Sequence, residues 1–314
     1  MNIETVIPPV NKELLISELT KDKFLRKTNN GNNNIYIVNA ENSPHIMREI
    51  GRLREVTFRD AGGGTGKSID IDEYDVGPHG FKQMIVWDSE ELEIVGGYRY
   101  LHGKDMEILE GNELKSPTSR LFTISEKFIK ESLNKTIELG RSFVQPLYQP
   151  AFNLRRGLYA LDNLWDGLGA LIIEHKDVRF LFGKVTMYTD FDPLARDLIL
   201  FFMQKYFPDE KNLIRPKIPL VLTTDNKILN NVFSGDNYDE DYKTLVQKVR
   251  KLGENIPPLF NAYMNLSKTM KMFGTAVNDH FGNVEETGIL INIDDIYHGK
   301  KERHVSTYKK PELL

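Results

Sequence analysis

No cysteine occurs among the 314 residues. That absence excludes disulfides, thiolate zinc sites and an acyl-cysteine intermediate together. A long apolar run is also missing: the densest stretch, Leu198 to Met203, falls far short of the roughly 18 residues that a spanning helix needs. The first residues, MNIETVIPPVNKELLISEL, carry acids and prolines where a secretory leader needs a basic start and an apolar core, so a cytoplasmic location is expected. There is no basic excess. With 41 Lys and Arg against 45 Asp and Glu, the net charge of -4 argues against nucleic acid as a partner. No internal repeat is visible.

What is present suits a globular protein with a sizeable core, 40% hydrophobic and 27% charged. The most organised stretch runs from Glu138 to Gly167. Thr136 to Val144 reads as a mostly buried strand through Ile137, Leu139, Phe143 and Val144, with Gly140 as its weak point. A proline-bounded loop follows. From Phe152 the residues Leu154, Leu158, Leu161, Leu164, Leu168 and Ile172 recur at three- and four-residue spacing, which predicts one long helix with those side chains inward. Arg155 and Arg156 then fall in its first turn. Open N–H groups and two guanidiniums at a helix start would seat a phosphate; the plainer reading is a solvated basic turn.

Before that stretch, TNNGNNN (Thr28 to Asn34) between KFLRK and IYIV predicts a hairpin or a loosely held arm. Ser43 and Pro44 open a helix to about Phe58. Phe81 to Trp87 and Leu92 to Leu101 read as a hairpin, with Gly96 and Gly97 marking a bulge or a close backbone approach by ligand. After it, Arg179 to Met187 is strand-like, and Asp192 and Pro193 cap a helix so apolar that it must be deeply buried or membrane-touching. A short strand at Ile218 to Leu222, a charged helix from Asp241 to Leu252, a helix from Pro257 to about Gly274 and a strand from Thr287 to Ile293 complete the expectation. Residues from His298 onward form a basic end, which reads more readily as solvated than as an anchor to anionic lipid.

Two patterns invite over-reading. Ala61 to Ser68, AGGGTGKS, satisfies the relaxed phosphate-loop pattern, with Lys67 and Ser68 in the key places. That loop works only between a strand and a helix, whereas here a charged helix precedes and the helix-breaking IDIDEYDVGPHG follows, so a flexible loop is expected. Asp70, Asp72, Asp75 and His79 lack a compact ligand spacing and a second nearby histidine. No metal is expected there.

Taken in order, Arg54 and Phe58, the D-x-D-x-x-D of Asp70, Asp72 and Asp75, GGYR with Arg99, and ELGR with Glu138 and Arg141 resemble the signature of the acyl-homoserine-lactone (autoinducer) synthases. A closer resemblance is to the hemolysin-like acyltransferases and ornithine- or glycine-lipid N-acyltransferases of the GNAT superfamily. It rests on EYD with His79, ELGRS-x-V-x-P-x-Y (Glu138 to Tyr148), LW-x-G (Leu164 to Gly167), LFG (Leu181 to Gly183) and PPL-x-x-AY (Pro257 to Tyr263). Asp70 stands where glutamate is usual, and Gly62 to Gly66 is an insertion. The resemblance spans about Asn34 to Ile296.

It implies an α/β (α+β) fold, a GNAT-like mixed twisted sheet with helices on both faces and a helical C-terminal elaboration. The implied divisions are an arm or hairpin over 1–34, the acyltransferase core over 35–207, an elaboration over 208–297 completing the same domain, and the basic tail over 298–314. The reaction implied is direct attack of an amine on a thioester, with no tightly bound cofactor. An acyl carrier protein (ACP) thioester, or acyl-CoA, is the donor, and an amino acid of glycine or ornithine type is the acceptor. Glu138 is the expected base, and Arg141 either holds it or binds the acceptor carboxylate; a plain buried salt bridge between them is the alternative. Arg54, Asp72, Asp75, His79 and Arg99 are expected on the acceptor side. Ser142, Phe143 and Val144, with Arg155 and Arg156, are expected around the donor's phosphopantetheine, and basic residues would meet the acidic carrier. Peripheral contact with the inner membrane is a further expectation. The rival functions are an autoinducer synthase, which would use S-adenosylmethionine and release a lactone, and a non-catalytic hemolysin-like lipid-associated protein.

Overall fold

The computed structural model describes residues 3–310, apart from the side chains of Asn112, Arg155 and Arg156. The chain begins with helix α1 (Lys12–Glu18), strands β1 (Phe24–Lys27) and β2 (Asn34–Val38), helix α2 (Pro44–Asp60), and strands β3 (Lys82–Asp88), β4 (Glu93–His102) and β5 (Phe122–Ile124). Helix α3 (Glu126–Glu131), strand β6 (Thr136–Val144), helices α4 (Leu154–Gly157) and α5 (Ala160–Glu174), strand β7 (Phe180–Met187) and helix α6 (Pro193–Tyr206) follow. The remainder is strand β8 (Ile214–Pro216), helices α7 (Asn226–Val232), α8 (Tyr238–Lys251) and α9 (Pro258–Met264), strands β9 (Lys271–Asn278) and β10 (Val284–Asn292), and helix α10 (His298–His304). Two compact units share these elements. The first comprises Met1–Glu107, Lys135–Arg179 and Tyr297–Leu314, and the second Ile108–Asn134 and Phe180–Ile296.

In the first unit β1, β2, β3, β4 and β6 pair in that order, each antiparallel to its neighbour. Successive strand residues point to opposite faces, and β3 shows what covers each. Gln83 bonds to Arg54 of α2, while Met84, fully buried, packs against Gly167 of α5. Helices therefore lie on both faces, as expected. The start of α2 is capped from elsewhere in the chain: Ser43 makes no capping bond, and the Glu18 carboxylate accepts from His45 N and Ile46 N at 3.0 and 2.9 Å. Acceptors at a helix start satisfy otherwise orphaned N–H groups. The asparagine-rich stretch forms the β1–β2 hairpin turn. Gly96 leaves room for the neighbouring strand, because a Cβ there would strike the Phe143 carbonyl.

The expected long helix from Phe152 is not continuous. The segment breaks into separate short turns instead, with Phe152 N and Asn153 N donating to Gln149 O and Gly157 N to Asn153 O. Only the single turn α4 forms there, and Leu154 and Leu158, expected inward, are 72% and 60% exposed. From Ala160 onward the spacing rule holds, and Leu164 and Leu168 are buried.

The C-terminal stretch docks through His304 and Tyr308, while the side chains of Lys300, Arg303, Lys309 and Lys310 stay exposed, as expected of a basic end. Helix α10 lies against α5, with His304 Nδ1 2.8 Å from Asp166 Oδ1 and Tyr308 Oη donating to Glu174 at 2.7 Å. A Cβ at position 169 would collide with the His304 carbonyl, so glycine there lets the two segments meet.

The second unit holds the antiparallel set β7-β10-β9 and the pair β5-β8. Helix α6 is apolar on several faces because it is deeply buried: Phe202 lies within ring-contact distance of Tyr206, Phe233, Tyr238 and Tyr242. Two expectations fail here. No strand forms over 218–222, where Pro219 lacks an N–H and Leu220 N makes one bond to Thr275 O. The helix opened at Pro257 stops at Met264, and Lys271–Asn278 joins the sheet as β9 beside β10. Among the described residues no helix is long and apolar enough to cross a membrane.

Candidate active site

Opposite charges from four parts of the first unit converge beside the α2 face of its sheet. Arg54, from the middle of α2, reaches both Asp75 oxygens at 3.1 Å and also Gln83. Gln83 Nε2 donates in turn to Asp75 Oδ1 at 3.0 Å. Arg99, on β4, donates to Asp72 at 2.8 Å and to Asp75 Oδ2 at 3.2 Å. Its guanidinium lies 5.3 Å from the Phe81 ring centroid. Arg141, on β6, places Nε 2.8 Å from Asp70 Oδ2 and Nη2 3.8 Å from Asp72 Oδ2. Three carboxylates thus face three guanidiniums, and buried charges persist only when compensated in this way.

Burial by itself would raise the Asp75 carboxyl, but the adjoining charges of Arg54 and Arg99 outweigh it and hold the group well below the usual carboxylate range. Burial would likewise lower Arg99; the carboxylates of Asp75, Asp72 and Asp70 override it and keep the guanidinium charged. The members differ in access. Arg54, Arg99, Asp70 and Asp75 are closed off, whereas the side chains of Asp72 and Arg141 remain 18% and 15% exposed.

Arg141 reaches this cluster through a break in its strand. Gly97 pairs with Phe143 but Arg99 pairs with Gly140, so β6 carries an extra residue at this point. Arg141 takes φ 48°, a left-handed conformation that costs a non-glycine residue of order 1–3 kcal/mol. The flexible Gly140 beside it is the sequence mark of this bulge.

Arg54, Asp72, Asp75, Arg99 and Arg141 are therefore brought together. His79 is not: it stands exposed on the turn after Asp75. Glu138 is buried on β6 opposite Leu101. Ser142, Phe143 and Val144 end the same strand, and Gln145 N donates to Val95 O on β4. Strand alternation then turns the Val144 N–H away from β4. The expectation for the Arg155 and Arg156 side chains lies outside the described residues. Gln83 was not anticipated, although a lone glutamine just ahead of the apolar run MIVW is the signal that could have found it.

The glycine-rich look-alike is already occupied by the protein itself. The Glu55 carboxylate accepts from Thr65 N, Thr65 Oγ1 and Gly66 N at 2.7 to 3.0 Å, taking up N–H groups that a phosphate would need. It follows α2 rather than a strand. A second cluster, His102, His175 and Asp177, has its ligand atoms within 4.8 Å of one another. Its chemistry does not suit a cation: His102 Nδ1 accepts from Lys104 N, which places the ring proton on Nε2, the atom facing Asp177 at 3.2 Å.

The Acetyltransferase (GNAT) domain family matches residues 53–156, a span that contains every member of the charge cluster. The chain is 55% identical over 306 residues to a glycine N(alpha)-acyltransferase of Bacteroides thetaiotaomicron, covering 98% of this chain and 91% of that one. It is 52% identical over 314 residues to a glycine N(alpha)-acyltransferase of Phocaeicola vulgatus, covering 99% and 96%. No solved structure is a significant match. Identity at this level along nearly the whole length, with the GNAT domain placed over the cluster, makes the chain an acyltransferase that belongs to the GNAT N-acyltransferase family of these two relatives.

Proposed function

We propose that this acyltransferase moves a fatty or 3-hydroxyfatty acyl group from an acyl carrier protein thioester to the amine of an amino acid, glycine first, for aminolipid synthesis. The observation that carries this reading is the Asp72–Arg141 pair. These two are the cluster members that retain exposure, and they offer one carboxylate and one guanidinium 3.8 Å apart. A free amino acid is a zwitterion of matching size: its carboxylate suits Arg141 and its ammonium suits Asp72. Asp75, Arg54 and Gln83 act as the frame that fixes them. The relatives' names favour glycine as the acceptor.

An amine attacks only when neutral, and an α-amino group has a pKa of about 8 even without the adjacent carboxylate that raises it in a free amino acid. Glu138, directly or through one water, takes that proton. The nitrogen then bonds to the thioester carbonyl carbon, the C–S bond breaks, and the second proton that the nitrogen loses passes through solvent to the thiolate leaving with the carrier. The outward Val144 N–H has the orientation needed to stabilise the oxyanion. The acidic carrier would be met by the basic residues of the donor side, and the peripheral membrane contact belongs to the same reading, because the product is a lipid.

The test is to incubate the protein with long-chain acyl carrier protein and a panel of amino acids, with S-adenosylmethionine as a separate arm. Mass spectrometry should detect N-acylglycine. A lactone, or no acylated product from any acceptor, would overturn the reading.

A further inference from the structure

The loop between β6 and α5 is built inside out. Most surface loops turn polar side chains to water, but here the polar groups are spent holding the loop down. Gln145 Nε2 donates to Ile94 O, Gln149 Nε2 to Val144 O at 2.8 Å, and Tyr148, 2% exposed, donates its hydroxyl to Asp88 at 2.8 Å. The side chains left outside are Leu147, Phe152, Leu154, Leu158 and Tyr159, between 38% and 72% exposed. Five large apolar side chains exposed within thirteen residues of a tethered loop mark a contact surface. From Ser142 to Leu161 the sequence has two arginines and no acid.

We propose that residues 147–159 form an interfacial docking surface for an anionic lipid bilayer. Aliphatic and aromatic side chains together with positive charge are the composition that enters the headgroup boundary of anionic membranes. Charge decides the leaflet and apolar burial supplies the binding. Charge alone would also attract an acidic carrier protein; the four large exposed aliphatic and phenyl groups are what favour a bilayer. The proposal rests on the function above in one respect: a fatty-acylated amino acid cannot be released cheaply into water, since each exposed CH₂ costs about 0.8 kcal/mol. A bilayer beside the donor-side strand would receive it. This placement differs from the basic C-terminus, whose His304 and Tyr308 are anchored on α5.

The test uses the full chain without any thioester, so that its outcome is separable from that of the acylation assay. Co-sedimentation is measured with phosphatidylcholine vesicles and with vesicles containing phosphatidylglycerol. The wild type should pellet with the anionic vesicles, and each of Phe152→Ser, Leu154→Ser and Leu158→Ser should weaken binding about tenfold or more. Because these side chains are exposed, melting temperatures should not change, and Leu154→Trp gives an independent readout through a blue-shifted emission on adding anionic vesicles. Wild-type protein that stays in the supernatant with both vesicle types, or an unshifted emission from the Leu154→Trp variant, would overturn the proposal. So would serine variants that bind vesicles normally but lose binding to acyl carrier protein, which would give the surface to the carrier.

Discussion

Arg141 Nε lies 2.8 Å from Asp70 Oδ2, which ties a bulged strand residue to an acidic loop 71 positions earlier in the chain. Asp70 is fully buried while the Arg141 side chain keeps 15% exposure, so the contact anchors the guanidinium at the edge of the closed interior. Arg141→Lys should keep the charge but lose this forked geometry. The expected result is an acceptor KM raised roughly ten- to hundredfold, from a lost charged hydrogen bond of about 1.5–3 kcal/mol, with donor KM unchanged. Steady-state kinetics with each substrate varied separately would check it.

Asp75→Asn should be costly for a different reason. It leaves Arg54 and Arg99 under-compensated in a closed interior, a situation worth about 3–5 kcal/mol. Urea denaturation should report that loss. The folded Asp75 carboxyl is held below its ordinary value, so the unfolded chain binds the proton first. Its stabilisation is complete above the unfolded value of about 3.9 and is lost as the pH falls from there towards the folded value. The variant should show a shallower acid-side decline than the wild type.

His102 and His175 give a second, milder pH response. Burial, followed by the neighbouring positive charge of Lys104 for His102 and of His102 for His175, holds both imidazoles below their ordinary value. The unfolded chain therefore takes up these protons first, near pH of about 6.5. Stability should be full above that point and fall as the pH drops through the folded values. Thermal melts across this range should show the decline, and His175→Gln should flatten part of it.

Glu138→Gln should lower kcat by about 10²–10⁴-fold if the carboxylate is the base, while leaving donor affinity intact. Carrier-protein binding by calorimetry, together with single-turnover rates, separates the two effects. Turnover like that of the wild type would remove Glu138 from the mechanism.

Gly169→Ala should loosen the C-terminus. The added methyl meets the His304 carbonyl, and a backbone partner cannot yield as a flexible side chain would. A destabilisation of about 1–3 kcal/mol is expected. Limited proteolysis should then cut after α10 faster than in the wild type, and Gly253→Ala, where a Cβ meets no neighbour within 4 Å, separates clash from conformational cost at a positive-φ glycine.

Much was legible without coordinates wherever the physics is local. The runs of β-formers at 82–88 and 93–102, the Pro44 start of α2 and the Asp192 cap of α6 depend on neighbours in sequence, and all formed. The resemblance also grouped Arg54, Asp72, Asp75 and Arg99, and the fold brings Arg141, expected to hold Glu138 or the acceptor carboxylate, to the same cluster. What the spacing could not reveal was long-range. Leu154 and Leu158 fit a helical face, yet Tyr148 and Gln145 tie the loop to Asp88 and Ile94, and both leucines stand exposed. Lys271–Asn278 follows a helical run, yet pairing with β10 makes it a strand. The basic end keeps its charges in water, yet Asp166 and Glu174 hold its His304 and Tyr308. In each case a partner distant in sequence decided between conformations that local propensity leaves nearly equal, and only tertiary structure supplies that partner.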